Sequence, residues 1–122
     1  MTINKDTLLN ELNSAVPDFV IDSDWAQDKL GYLIISDLAR YLCEQAELSE
    51  WKIVKQGMDF LERSLEAGDP YMHDLVHEAL EVFLSCSEVG EMKKHFGLRT
   101  QALWNKFMED TYQQVLRDKD LR

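Results

Sequence analysis

The chain is constrained most by two amphipathic runs joined at one break. Trp51, Val54, Met58, Leu61 and Leu65 recur at spacings of three and four, and so do Met72, Leu75, Val76, Ala79, Leu80, Phe83 and Leu84. That period places each set on one face of an α-helix. Between the runs stands Gly68-Asp69-Pro70. Glycine commonly closes a helix, aspartate accepts from the first amides of the next one, and proline at the first helical position forfeits only an amide that has no intrahelical acceptor. The spacing predicts helices over about 50–67 and 70–85. A connection this short lays them side by side and antiparallel.

The same reading predicts a helix over about 5–15, with Leu8, Leu9, Leu12 and Val16 on one side and Asn4 or Asp6 as cap, ending before Pro17. In the connector 17–24, Phe19, Val20 and Ile21 are expected to anchor the crossing, and Asp22, Ser23 and Asp24 offer the next start. A helix over about 25–47 follows, presenting Leu30, Ile34, Leu38, Tyr41 and Leu42. Taken alone, Tyr32-Leu33-Ile34-Ile35 reads as a short strand, but the apolar pattern runs on through Leu42 without a turn signal, so helix is preferred despite Gly31. Apolar residues on most of its faces suggest a central helix. Ser49 is expected to cap the helix over 50–67. A short helix over 88–95 is closed by Gly97. Thr100 is expected to cap a last helix over 100–116 that carries Leu103, Trp104, Phe107, Met108, Val115 and Leu116, with a solvated tail from Arg117 to Arg122. A length of 122 residues fits one domain. The expectation is a single-domain, all-α irregular bundle of about five to six helices, or HEAT-like helical pairs, without a visible sequence repeat.

Apolar residues make up 45% and charged residues 30%, a globular balance. No apolar run approaches the roughly 18 residues that span a bilayer, and the N-terminus lacks the pattern of a leader, so a cytoplasmic location is expected. Cys43 and Cys86 sit within apolar helical patterns and lack C-x-x-C spacing. A disulfide between them is open, but the expectation is a pair of reduced, buried thiols. His73 and His77 share a helix face, yet Val76 stands where the inverse zincin pattern needs glutamate, so a solvated polar face is preferred and no metal is expected. Phosphate-binding loops, dinucleotide turns and nucleophile elbows are lacking, so neither a cofactor nor an enzymatic activity is expected.

Charge is the most informative functional feature. Of the net −10, residues 59–91 carry nine acids against Arg63 alone, a local −8, while the remainder totals −2. That argues against nucleic acid or an anionic membrane as direct partner. Asp59, Glu62 and Glu66 lie on one side of the first helix of the hairpin, and Asp74, Glu78 and Glu81 on one side of the second. The two stripes either merge into one negative surface or remain separate solvated faces. Ordinary exposed faces intersperse lysine or arginine, and their scarcity here favours a partner that supplies positive charge. Asp69 and Tyr71, at the turn, complete the candidate surface, with Tyr71 as an apolar contact. Trp25, Trp51 and Trp104 are further candidate anchors, although Trp51 and Trp104 fall on the apolar rows and read better as core.

Length, acidity, the segment Leu75-Val76-His77-Glu78-Ala79-Leu80-Glu81-Val82-Phe83, and the later Gly97, Thr100, Leu103, Trp104 and Phe107 together give the chain its family likeness. Over most of residues 30–110 it resembles the small acidic helical immunity proteins of bacterial contact-dependent and polymorphic toxin systems. The resemblance implies a protein that covers the active or substrate-binding site of a cognate basic toxin, a nuclease, with acidic groups that mimic its anionic substrate. It supplies no residue-level motif, and the acids named above come from the charge count. The alternative is a non-catalytic helical adaptor that binds a protein partner through an apolar groove.

Overall fold

The computed structural model describes residues 2–27 and 30–120; for Val115 and residues 117–120 it describes the backbone alone. Among the described residues, seven α-helices and one 3₁₀ turn follow in order: α1 (Leu8–Ala15), α2 (Ser23–Gln27), α3 (Gly31–Glu47), α4 (Trp51–Ala67), α5 (Pro70–Phe83), α6 (Val89–Met92), a 3₁₀ turn (Lys93–His95) and α7 (Leu98–Asp120). The all-α single-domain architecture is as the periodicity predicts.

The centre is a three-helix layer. α3 packs on both α4 and α5, and those two helices pack on each other. Ile34, Ile35, Leu38, Ala39 and Leu42 of α3 meet Val54, Met58, Phe60 and Leu61 of α4 and Leu75, Val76, Ala79, Leu80 and Phe83 of α5, all buried. Burial of a Leu, Ile, Val, Met or Phe side chain stabilises a fold by about 1.5–3 kcal/mol, so this layer dominates folding. α1 and α7 both lean on α4, and α2 leans on α3. Ile3, buried, docks the N-terminal segment on the hairpin turn: its amide donates to the Ala67 carbonyl at 2.9 Å and its carbonyl accepts from the Asp69 amide at 3.2 Å.

Several boundaries differ from the sequence-based expectation, each for a local reason. The predicted helix over 25–47 is two helices; its stretch Asp28-Lys29 lies outside the described residues, and Leu30 precedes α3 with a non-helical backbone. α3 starts at Gly31, where a Cβ would overlap the Tyr71 hydroxyl. Ser49 does not cap α4. It adopts φ 59° and closes α3: its amide donates to Ala46 at 3.0 Å and the Glu50 amide to Gln45 at 2.8 Å, the paired bonds of a Schellman ending. Gly68 is extended rather than left-handed, and a Cβ there would overlap the Ser64 carbonyl and the Met72 side chain. Asp69 and Pro70 hold as predicted, the Asp69 carboxylate accepting from the Met72 amide at 3.1 Å. α5 ends at Phe83, leaving Leu84 exposed. α7 begins at Leu98, places Thr100 inside the helix, and runs on through most of the expected tail; Leu121 and Arg122 lie outside the described residues. Val20 is 83% exposed and anchors nothing, whereas Phe19 beside it is buried.

The cysteines are paired. Cys43 of α3 and Cys86 of the turn after α5 form a disulfide with Cα atoms 5.7 Å apart. This corrects the expectation of two free thiols, which rested on the absence of a cysteine framework; the pairing arises because α3 and α5 are packed neighbours, a long-range fact that spacing does not reveal.

Candidate partner-binding surface

Assembly of the site begins with the N-terminus of α7. The Gly97 carbonyl accepts the first intrahelical bond, from Gln101 at 2.9 Å, so glycine occupies the position where a serine or aspartate would ordinarily bond the next amides. Glu62 of α4 does that work from across the interface. Its carboxylate accepts from the Thr100 amide at 2.9 Å, the Thr100 hydroxyl at 2.9 Å and the Arg99 amide at 3.1 Å. The Arg99 guanidinium approaches at 3.6 Å. A Cβ on residue 97 would overlap the Glu62 side chain, so glycine is required by this close approach. Burial pushes the Glu62 carboxyl up; the bonds from Thr100 and Arg99 outweigh it and leave the group below its ordinary value.

The predicted acids therefore occupy distinct places. Glu62 is an interior cap, its side chain only 17% exposed. Glu66 is exposed and 3.9 Å from the same Arg99. Asp59 is exposed and bonded through both oxygens to Lys55 at 3.1 Å, one turn back on α4. Asp69 caps α5. Asp74 is exposed and lines a groove of about 470 Å³ with Leu65, His73, His77, Arg99 and Leu103. Glu81 lies 3.5 Å from the His77 ring nitrogen. Glu78 turns the other way, half-buried, with the Ser36 hydroxyl of α3 donating to it at 3.5 Å. α7 lies against both helices of the hairpin, touching α4 through Glu62 and Thr100 and α5 through an edge-on contact of Phe107 with His77 at 5.0 Å. Arg63, the base within residues 59–91, binds Glu11 of α1 at 2.7 Å.

Tyr71 is half-buried rather than a free contact. It lies against Gly31 and meets Tyr32 edge-on at 6.4 Å. Burial, the neighbouring Tyr32 and Asp69 raise its phenol above the ordinary value, against a bond from the Gly31 backbone. With Lys5, Leu30, Gly31, Tyr32 and Leu33 it lines an apolar groove of about 300 Å³. Leu30, Tyr32 and Leu33 are each 40% or more exposed there. Trp51 is stacked on His95 at 5.5 Å, Trp104 is core, and Trp25 is partly buried against the core.

The sequence reading missed a second acid-lined surface. A groove of about 260 Å³ is bordered by Asp18, Phe19, Val20, Asp37, Arg40, Tyr41 and Glu44. Burial raises the Tyr41 phenol first, and the carboxylates of Asp18, Glu44 and Glu50 raise it further. A signal was present: Asp37 and Glu44 stand four before and three after Tyr41, hence on its side of α3. Only the contribution of Asp18 from the connector was hidden.

Among the described residues no group of three or more His, Cys, Asp or Glu is placed to hold a metal ion, and no helix is long and apolar enough to cross a membrane.

These features define an all-α domain with acid-lined and apolar surface grooves. A family model described as a domain of unknown function (DUF7674) matches residues 7–113, and the chain belongs to that family. No curated protein and no solved structure matches it.

Proposed function

We propose that this domain acts by binding, not by catalysis, and that it neutralises a protein with a basic surface in the bacterial cytoplasm, as an immunity protein does a nuclease-type toxin. The observation that carries this reading is the acid-lined groove at Tyr41, where Asp18 of the connector and Asp37 and Glu44 of α3 border one aromatic ring beside the exposed Val20, with Arg40 3.8 Å from Asp37 on the same rim. Carboxylates around an apolar floor suit a lysine or arginine side chain, whose stem packs while its charge is paired. Glu66, Asp74 and Glu81 extend the exposed acidity on the α4–α5 side. Glu62 and Asp69 are assigned to structure instead, since their oxygens are already committed to helix ends.

The test uses a toxin domain encoded beside this gene, co-expressed with it and titrated in vitro. Growth rescue and salt-sensitive binding, both weakened by D18K/D37K/E44K, are the expected results. Binding that is indifferent to those reversals and to salt would refute the acidic mechanism. The adaptor reading is favoured by one observation, the exposed groove of Leu30, Tyr32, Leu33 and Tyr71. It predicts binding that survives high salt and fails on Tyr32→Ser.

A further inference from the structure

From the position of the Cys43–Cys86 pair we infer that it is a reversible redox clamp, whose reduction by a low-molecular-weight thiol releases the segment from Leu84 to Met92 while the three-helix layer stays folded. The clamp joins α3 to the turn that leads into α6, with Cα atoms at 5.7 Å, inside the roughly 4.4–6.8 Å range that a disulfide spans without backbone movement. Both cysteines are half-buried and lie at the margin of the core, so a small thiol reaches them without global unfolding.

Besides the clamp, the segment is held by the packing of α6 on α3, with Val89 partly buried against the core and Met92 fully buried. α6 is a four-residue helix with no side-chain cap. Ser87 donates to Glu47 of α3 at 3.5 Å, one helical turn beyond Cys43, and this is a long hydrogen bond. Leu84, Ser85, Ser87 and Gly90 are exposed, and Met92 is the one fully buried side chain of α6. Beyond it the chain is held again, by His95 stacked on Trp51 at 5.5 Å and by Phe96 between Phe83 and Trp104 at 6.4 and 5.7 Å. Opening is therefore bounded by Phe83 on one side and the 3₁₀ turn on the other. The reduced state is accommodated as well: the Cys86 sulfur lies 3.8 Å from the Val82 carbonyl, an acceptor within reach once that sulfur carries a proton.

In the chemical step a small thiolate attacks one sulfur of the pair, giving a mixed disulfide and one cysteine thiolate. A second small thiolate attacks the reagent's sulfur in that mixed disulfide and expels the remaining cysteine as a thiolate; both cysteine sulfurs take up protons, the protein disulfide having gained two electrons, and the reagent leaves as its own disulfide. Glu44 follows Cys43 in sequence, and Glu47 is bonded beside Cys86. Carboxylates repel an anionic thiol, so a neutral monothiol should exchange faster than glutathione at equal thiolate concentration.

The full-length wild-type protein, equilibrated in glutathione redox buffers, tests this by thiol alkylation, far-UV circular dichroism and amide hydrogen exchange. The expected result is interconversion of two thiols and one disulfide with helicity kept. Exchange should rise at least tenfold over 84–92 on reduction while 54–65 and 72–83 remain the most protected segments, and Cys43→Ser/Cys86→Ser should match the reduced state. Thiols that remain free in the most oxidising buffer, a disulfide reducible only in denaturant, reduction that unfolds the whole chain, or unchanged exchange over 84–92 would each overturn the inference.

Discussion

Replacing Glu62 with alanine removes three hydrogen bonds from the start of α7, two to backbone amides and one to the hydroxyl of Thr100, a residue with no solvent exposure. Loss of a helix cap costs about 0.5–2 kcal/mol, and a buried polar group left without its partner costs about 1–3 kcal/mol. The carboxylate also opposes the positive end of the helix dipole. Relief of like-charge repulsion in a chain of net −10 offsets a few tenths of a kcal/mol. The expected destabilisation of Glu62→Ala is about 3 kcal/mol, and at the entropy of unfolding typical of this size that lowers Tm by about 12 °C. Glu62→Gln keeps an acceptor for Thr100 but loses the charge, for about 1–1.5 kcal/mol. Gly97→Ala should approach the alanine variant, because its Cβ displaces the same carboxylate, and the two changes combined should cost less than their sum. The sign with pH follows from the lowered carboxyl. Stabilisation is fully present above the ordinary value of 4.5 and is lost as pH falls through the lower folded value, so the gap between wild type and Glu62→Gln should close in that acid window. Urea unfolding at a series of pH values measures both quantities. A Glu62→Ala variant within about 0.5 kcal/mol of wild type, or a glutamine deficit that does not vary with pH, would refute the capping role.

Three further outcomes follow from the geometry. Ser49→Gly should raise stability by about 0.5–1 kcal/mol in thermal unfolding, since φ 59° penalises a residue with a Cβ. Ultraviolet titration should find the Tyr41 phenol above its ordinary 10.0, and Asp18→Asn/Glu44→Gln should lower it toward that value. Closing a loop with 43 residues of sequence separation should make the disulfide form more stable than the dithiol form by up to about 4 kcal/mol in matched denaturant curves.

The hairpin was legible because its information is local: apolar spacing within α4 and α5 and the cap chemistry of Asp69-Pro70 act within a few residues. Ser49 was misread for an equally local reason. Serine is a common N-cap, and only the packing of α3 against α4 shows that the bend there needs a left-handed residue. Glu62 could not be recognised as a cap from its own stripe, because the amides it binds belong to residues 37 and 38 positions later. The charge count treated every acid as equally free. In the folded chain, oxygen atoms of Glu62, Asp69 and Glu78 are engaged with α7, α5 and α3, and the acid-lined groove at Tyr41 draws Asp18 from a connector with no helical period of its own.

The proposed basic partner would be held by acids around Tyr41 and on the α4–α5 face. Calorimetric titration of a basic nuclease-type toxin domain against wild type and D18K/D37K/E44K, at about 0.05 and 0.5 M salt, tests this most directly. Affinity should fall steeply with salt in the wild type and by at least tenfold on charge reversal, with Glu62→Gln binding normally. Equal affinity for wild type and the reversed variant at both salt concentrations would contradict it.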